Sequence, residues 1–229
     1  MKKIIFLILL ACTTGNAQKE LWGVFQGHTP GSPITDLGSS GTIIRFDING
    51  ENAAVKHLFD FTQGKSPSGK LLLASNGKIY GTTFSGGGTG TPPFNVVNGT
   101  GVLFEYDLVL DKFTVVHYFD YPNNLYTTLG VIEPIPGKLY GFNNNLLFCY
   151  DIINSTYTLF TSTGVAETTV YGELFKASNG FLYGTTHPTS PCPSTNSIGP
   201  YNGTIFKINI SNNTVQTVLS RNEAILSIF

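Results

Sequence analysis

Four short stretches of the chain alternate apolar and polar residues with a period of two. Ile44 and Phe46, Phe104 and Tyr106, Phe148 and Tyr150, and Phe206 and Ile208 each fall on one side of their stretch. That period puts successive side chains on opposite faces of a strand and predicts four half-buried β-strands. Each is followed by a corner residue, Asp47, Asp107, Asp151 or Asn209, whose side chain can bond nearby backbone amides in a turn. A further apolar stretch comes next, around Val55 to Phe59, Phe113 to Phe119, Tyr157 to Phe160 and Val215 to Leu219. Ahead of the alternating stretches stand variants of one phrase: Lys78-Ile79-Tyr80-Gly81-Thr82-Thr83, Lys138-Leu139-Tyr140-Gly141, Phe181-Leu182-Tyr183-Gly184-Thr185-Thr186 and the fainter Glu20-Leu21-Trp22-Gly23. Glycine inside a strand signals a bend or a close approach of neighbouring backbones. Ahead of three of these phrases, apolar runs end in Asn76-Gly77, Pro136-Gly137 and Asn179-Gly180, which predict hairpin turns.

The chain therefore holds four copies of one unit, over about 18–61, 69–121, 130–161 and 172–220. Self-similarity at intervals of about 40–60 residues marks an array in which no unit buries its faces alone. Four antiparallel strands per unit is the size of a propeller blade. The expected fold is all-β, a β-propeller-like array of four four-stranded blades forming a single domain over 18–229. Trp22, Gly23, Tyr80, Gly81, Tyr140, Gly141, Tyr183, Gly184 and the four corner residues are read as its structural repeat. The first unit lacks a first strand, and the apolar run 224–229 stands where another first strand is due. That run is expected to close the ring beside Glu20 to Phe25, which would favour a monomer. A fragment of a longer array is the other reading.

The N-terminus begins with Lys2 and Lys3, continues with an apolar run from Ile4 to Ala11, and reaches Ala17 through small and polar residues. This predicts a secretory signal peptide over residues 1–17. Leu9-Leu10-Ala11-Cys12 also resembles a lipoprotein lipobox, so lipidation at Cys12 is the alternative processing. No stretch approaches the roughly 20 apolar residues of a transmembrane helix. Without residues 1–17 the chain carries 11 Lys or Arg against 14 Asp or Glu, a formal charge of −3. Nucleic acid is thereby disfavoured as a partner, because it needs clustered basic charge. Cys149 and Cys192 form a candidate disulfide in an exported protein, although Cys149 lies in an apolar strand where a free thiol packs as a small hydrophobe. There is no CxxC or HxxxH spacing for a metal, and no cofactor is expected.

The run Ala74 to Gly88, then Gly101-Val102-Leu103-Phe104-Glu105-Tyr106 and His117-Tyr118-Phe119-Asp120, resembles the GloVer tandem repeat of exported bacterial proteins. The match is good around Tyr80, fair around Tyr183 and degenerate around Trp22 and Tyr140, and it spans most of the chain after residue 17. The resemblance implies a propeller-like repeat protein and supplies no catalytic residues. The third unit departs from the pattern, with Phe142-Asn143-Asn144-Asn145 in place of the glycine-rich insert.

Positions shared by every unit point to scaffold, so function is sought where units differ. His57 and His117 share a register and are read as structural. The departures are three inserts between second and third strands, over 26–40, 84–100 and 187–202. Loops of that length are uncommon unless they serve a function or lack order. Within them His28, Asp36, His187 and Tyr201 are the candidate binding residues. No GxSxG, HExxH or EF-hand loop is present. Glu133 and Glu173 fall near first strands rather than in the inserts, so a carboxylate pair flanking a sugar has no support. Gly64-Lys65-Ser66 is followed by Pro67 rather than a helix, and the run 86–90 is read as flexible loop. The expected function is a non-enzymatic binding module, secreted or at the outer cell surface, for a glycan or a protein. A polysaccharide-acting hydrolase or lyase is the alternative.

Overall fold

The computed structural model describes residues 8–10, 20–26, 40–87, 99–119, 130–143, 146–160, 168–188 and 203–221. Sixteen strands form four four-stranded antiparallel sheets, and no helix occurs among the described residues. The first sheet orders β1 (Ile8–Leu10), β2 (Glu20–Phe25), β3 (Thr42–Asp47) and β4 (Ala54–Leu58). The second holds β5 (Lys65–Leu73), β6 (Ile79–Ser85), β7 (Val102–Asp107) and β8 (Lys112–Tyr118). The third holds β9 (Ile132–Ile135), β10 (Lys138–Asn143), β11 (Leu146–Asp151) and β12 (Thr156–Leu159). The fourth holds β13 (Thr168–Lys176), β14 (Leu182–Pro188), β15 (Gly203–Asn209) and β16 (Thr214–Arg221). Within each sheet neighbours in sequence are neighbours in space, the meander of a propeller blade. The chain divides into two compact units, Met1–Val131 and Ile132–Phe229, with two sheets in each.

The tyrosine-glycine phrases occupy the second strand of each sheet and the alternating stretches the third, in matching register. Gly23 faces Ile44, Gly81 faces Phe104, Gly141 faces Phe148 and Gly184 faces Phe206. At Gly81 and Gly184 the glycine is explained by that partner. A Cβ on Gly81 would lie 2.4 Å from the tip of the Phe104 ring, and one on Gly184 would lie 2.3 Å from the tip of Phe206. The close approach that the sequence suggests is thus made by an aromatic ring lying over bare backbone rather than by a second backbone. The third strands are also more buried than their alternation implies. Ile43, Leu103 and Leu147 point away from the patterned face, yet each is fully buried. These strands are covered on both faces.

In the unit Met1–Val131, Trp22 and Ile43 pack with Phe59, Ile79, Phe104 and Tyr106 in one cluster. Phe59, the residue after β4, meets Phe104 and Phe113 of the second sheet at ring separations of 5.3 and 5.4 Å. In the unit Ile132–Phe229, Tyr140, Phe142 and Leu147 pack with Leu182, Phe206 and Ile208.

Each sheet has one end closed by tight turns. Asp47, Asp107, Asp151 and Asn209 all begin their turn by accepting backbone N–H bonds, for example from Val109 and Leu110 at 2.9 Å and from Ile153 at 2.9 Å. The corner function read from the sequence is therefore present at all four. Each turn closes through a residue in the left-handed region, Asn52, Asp111, Ser155 or Asn213. Two of these reach the preceding sheet of their own unit. Asp111 accepts from Lys56 at 2.9 Å, and Asn213 accepts from the Tyr140 hydroxyl at 3.1 Å. Ser155 is exposed and β-carbon-bearing at φ 51°. Relief of left-handed strain, about 1–2 kcal/mol, outweighs the entropy that glycine adds to the unfolded chain. Ser155→Gly is accordingly expected to stabilise the protein by about 0.5 kcal/mol and raise Tm by about 1–2 °C in a thermal melt.

The first strands depart most from expectation. β5 and β13 begin earlier than their apolar runs suggest, each passing through a register shift, at Ser68/Leu72 and Tyr171/Phe175. Beside β2 the place expected for 224–229 is taken by β1, with Ile8 opposite Trp22 and Leu10 opposite Glu20. An apolar segment joined to β2 by only residues 11–19 pairs at small loop-closure cost. Residues 224–229 lie outside the described residues.

Candidate functional site

In each sheet the second strand leaves, and the third returns, at the end opposite the tight turns. The three long inserts therefore depart from equivalent ends of their sheets. His28, Asp36, Tyr201 and Cys192 lie outside the described residues. His187 is placed in β14 opposite Thr169, at the strand end from which its insert departs. The described residues thus bring none of the four candidate binding residues together. What they show is the frame on which the inserts stand.

That frame is built by the threonines that follow Tyr-Gly. Thr83 Oγ1 accepts the Val102 amide at 3.0 Å and donates to the Ser85 carbonyl at 3.1 Å. Thr186 Oγ1 accepts the Thr204 amide at 3.1 Å and shares a hydrogen bond with Thr204 Oγ1 at 2.7 Å. In both units the second threonine takes over where the strands begin to part. Thr42 Oγ1 donates to the His57 carbonyl at 2.6 Å, and Thr100 Oγ1 to the Phe119 carbonyl.

The insert 84–100 is anchored on glycines. Gly86 donates nothing from a side chain, yet its backbone is fixed at φ 77° and lies so close to Gly64 and Lys65 that a Cβ would fall 2.8 Å from their backbone atoms. Gly87, at φ 78°, donates its amide to the Phe61 carbonyl at 2.9 Å, and Gly101 donates to Gly86 at 3.0 Å. The first two glycines of a run read as flexible are held in place. The connection before β5 is equally self-bonded: Asp60 Oδ1 accepts the Thr62 and Gln63 amides, both at 2.8 Å. Burial pushes the Asp60 carboxyl up, but a hydrogen bond from the Thr62 hydroxyl at 2.7 Å and these amide bonds outweigh it and hold the group below the usual carboxylate range.

Titratable groups elsewhere are engaged in scaffolding. Glu105 accepts from Lys78 and from the Tyr80 hydroxyl, both at 2.8 Å. Burial, with a hydrogen bond to Asp111, keeps the Tyr106 phenol protonated far above its ordinary range. Cys149 is a free, buried thiol in β11, its pKa raised by burial. His57 stacks on Phe113 with ring centroids 3.6 Å apart and planes 4° apart, and meets Phe59 edge-on at 4.9 Å. Burial pushes its imidazole pKa down to about 4, with Asp60 opposing. Among the described residues no group of three His, Cys, Asp or Glu is placed to hold a metal ion, and no helix is long and apolar enough to cross a membrane.

No protein-family model matches the chain, and no curated protein matches it. Solved structures do. The extracellular domain of BT4673 from B. thetaiotaomicron aligns with TM-score 0.55 and 11% identity over 87% of this chain and 21% of that one. A protein of unknown function from Dyadobacter fermentans aligns with TM-score 0.53 and 11% identity over 86% and 64%. An oligogalacturonate lyase in complex with manganese aligns with TM-score 0.52 and 12% identity over 88% and 50%. The chain thus spans from about a fifth to under two thirds of these proteins' length. At such identities the likeness is one of fold, repeated four-stranded sheets of the propeller-like kind.

Proposed function

We propose that this is an exported, non-enzymatic repeat protein of the GloVer type whose insert-bearing strand ends bind a glycan or an extracellular protein. The observation that carries the reading is the asymmetry of the first, second and fourth sheets. One end is finished by short turns that satisfy their own amides, while the other carries the variable inserts on a frame of fixed threonines and glycines. Binding residues concentrate on loops held by a rigid scaffold. Export rests on the basic, apolar and small-residue order of residues 1–17. Removal of that leader after Ala17 would take β1 with it and open the edge of β2.

Incubation of the folded protein with a panel of insoluble bacterial and plant polysaccharides is expected to deplete it from solution without releasing new reducing ends or unsaturated sugars. Turnover, lost on substitution of His28, Asp36 or His187, would overturn the non-enzymatic reading in favour of a hydrolase or lyase. Failure to bind any glycan or surface extract would overturn the binding reading.

A further inference from the structure

Five asparagines of the chain stand directly before a glycine, the pair in which a backbone amide meets least steric resistance in attacking the side chain ahead of it. Asn49-Gly50, Asn76-Gly77 and Asn179-Gly180 lie in the described residues, while Asn98 and Asn202 lie outside them.

The three described pairs share one backbone geometry. Gly50, Gly77 and Gly180 stand at φ 79°, 77° and 84°. Each donates its amide to the carbonyl of the residue three before it, Asp47, Ala74 or Ala177, at 3.0, 2.9 and 3.1 Å. All three asparagines are exposed. Their side chains differ. Asn76 Oδ1 accepts the Lys78 amide at 3.1 Å, and Asn76 Nδ2 donates to the Tyr80 hydroxyl at 3.0 Å. Asn179 makes the same two bonds with Phe181 and Tyr183, at 3.1 and 3.0 Å. Asn49 makes neither. The amide that would serve its Oδ1, on Glu51, is taken at 2.8 Å by Asp47 Oδ1, and Asp47 also accepts the Asn49 amide at 3.1 Å. The corner carboxylate of the first sheet thus leaves the Asn49 carboxamide without a partner among the described residues.

We propose that Asn49 is a site of spontaneous covalent modification, converting to aspartate and its β-linked isomer through a cyclic imide with Gly50, while Asn76 and Asn179 are held back. The Gly50 nitrogen bonds to Asn49 Cγ and gives up its proton. The bond from Cγ to Nδ2 breaks, and ammonia leaves with that proton. Water then cleaves one of the two carbonyl–nitrogen bonds of the imide, so no oxidant, reductant or further reagent is needed. The attack requires the carboxamide carbon to turn onto the glycine amide. The glycine's own hydrogen bond opposes this equally in all three pairs, but at Asn76 and Asn179 two side-chain bonds must break as well. The product places a second carboxylate beside Asp47, and its β-linked form adds one backbone atom to the turn between β3 and β4.

The test holds the full chain at pH 8 and 37 °C, folded in buffer and unfolded in guanidinium chloride, and follows conversion of each asparagine by tandem mass spectrometry of its peptides. In the folded chain Asn49 is expected to convert at least about fivefold faster than Asn76 and Asn179, and that ratio to shrink at least about threefold in denaturant. Tyr183→Phe removes one restraining bond and is expected to speed Asn179 at least about twofold with Asn49 unchanged. A smaller ratio in the folded chain would overturn the assignment. A ratio that persists in denaturant would trace it to sequence rather than to the turn, and an Asn179 rate unmoved by Tyr183→Phe would overturn the side-chain restraint.

Discussion

Gly81→Ala is expected to destabilise the protein by about 2–4 kcal/mol, lowering Tm by about 5–12 °C. Gly81 needs no unusual backbone angle, so alanine's better intrinsic fit to ordered structure would lead to the opposite expectation. Packing decides the sign. The new methyl would sit 2.4 Å from Phe104 Cζ and 3.0 Å from both Phe104 Cε1 and Leu71 Cδ2. The contacted atom is the far end of a side chain, which elsewhere could swing aside. Here Phe104 is fully buried and hemmed by Phe59 and Phe113, at 5.3 and 5.4 Å, so relief requires moving the junction of two sheets. Shortening the ring provides the control. Phe104→Leu alone costs about 1–2 kcal/mol, and the double variant is expected to be more stable than the sum of the two by at least about 1 kcal/mol, because the leucine leaves room for the methyl. Urea denaturation of the four proteins reads the coupling. A Gly81→Ala variant within 0.5 kcal/mol of wild type would refute the ring-over-glycine account, and with it the reason given for Gly184, where the Phe206 ring tip stands at 2.3 Å.

These glycines show which parts of the architecture sequence makes legible. Repetition exposes the Tyr-Gly phrase and its spacing to the next strand, and period-two alternation exposes Phe104 and Phe206. Cross-strand register, which puts one opposite the other, is a tertiary fact. The corner aspartates are readable because their bonds run to amides two or three residues on. The reach of Asp111 to Lys56, 55 residues away, is not. First strands are read short because Ser66, Pro67 and Ser68 carry no strand signal, and pairing through a bulge follows only from β6 lying alongside. Of the residues chosen from the inserts, His187 alone lies in a described strand.

Stability is expected to fall as the medium is acidified from pH 6.5 to 4, and His57→Phe to remove part of that fall. The imidazole is pressed flat against Phe113 with Phe59 at its edge, and its Nε2 is buried without a hydrogen-bond partner. Nearby charges are Asp60, whose acceptor Oδ1 is occupied by Thr62 and Gln63, and the adjoining Lys56–Asp111 pair. Desolvation outweighs the attraction of Asp60 and lowers the imidazole pKa from 6.5 to about 4. Between these values the unfolded chain binds a proton that the folded protein refuses, so unfolding takes up protons and is favoured as pH falls. The contribution is fully present above pH 6.5, declines toward pH 4 and is constant below. The ring is only half-buried, and screening reduces the effect to about 1–2 kcal/mol. Carboxylates such as Asp47 and Asp107, whose pKa values lie below 3.8 in the folded state, act in a separate and lower window. Urea midpoints at pH 7.5, 6, 5 and 4 are therefore expected to converge with a steeper decline in wild type than in His57→Phe. Parallel declines would mean that water reaches the imidazole and that the stacked pair joining the first two sheets is open to protonation.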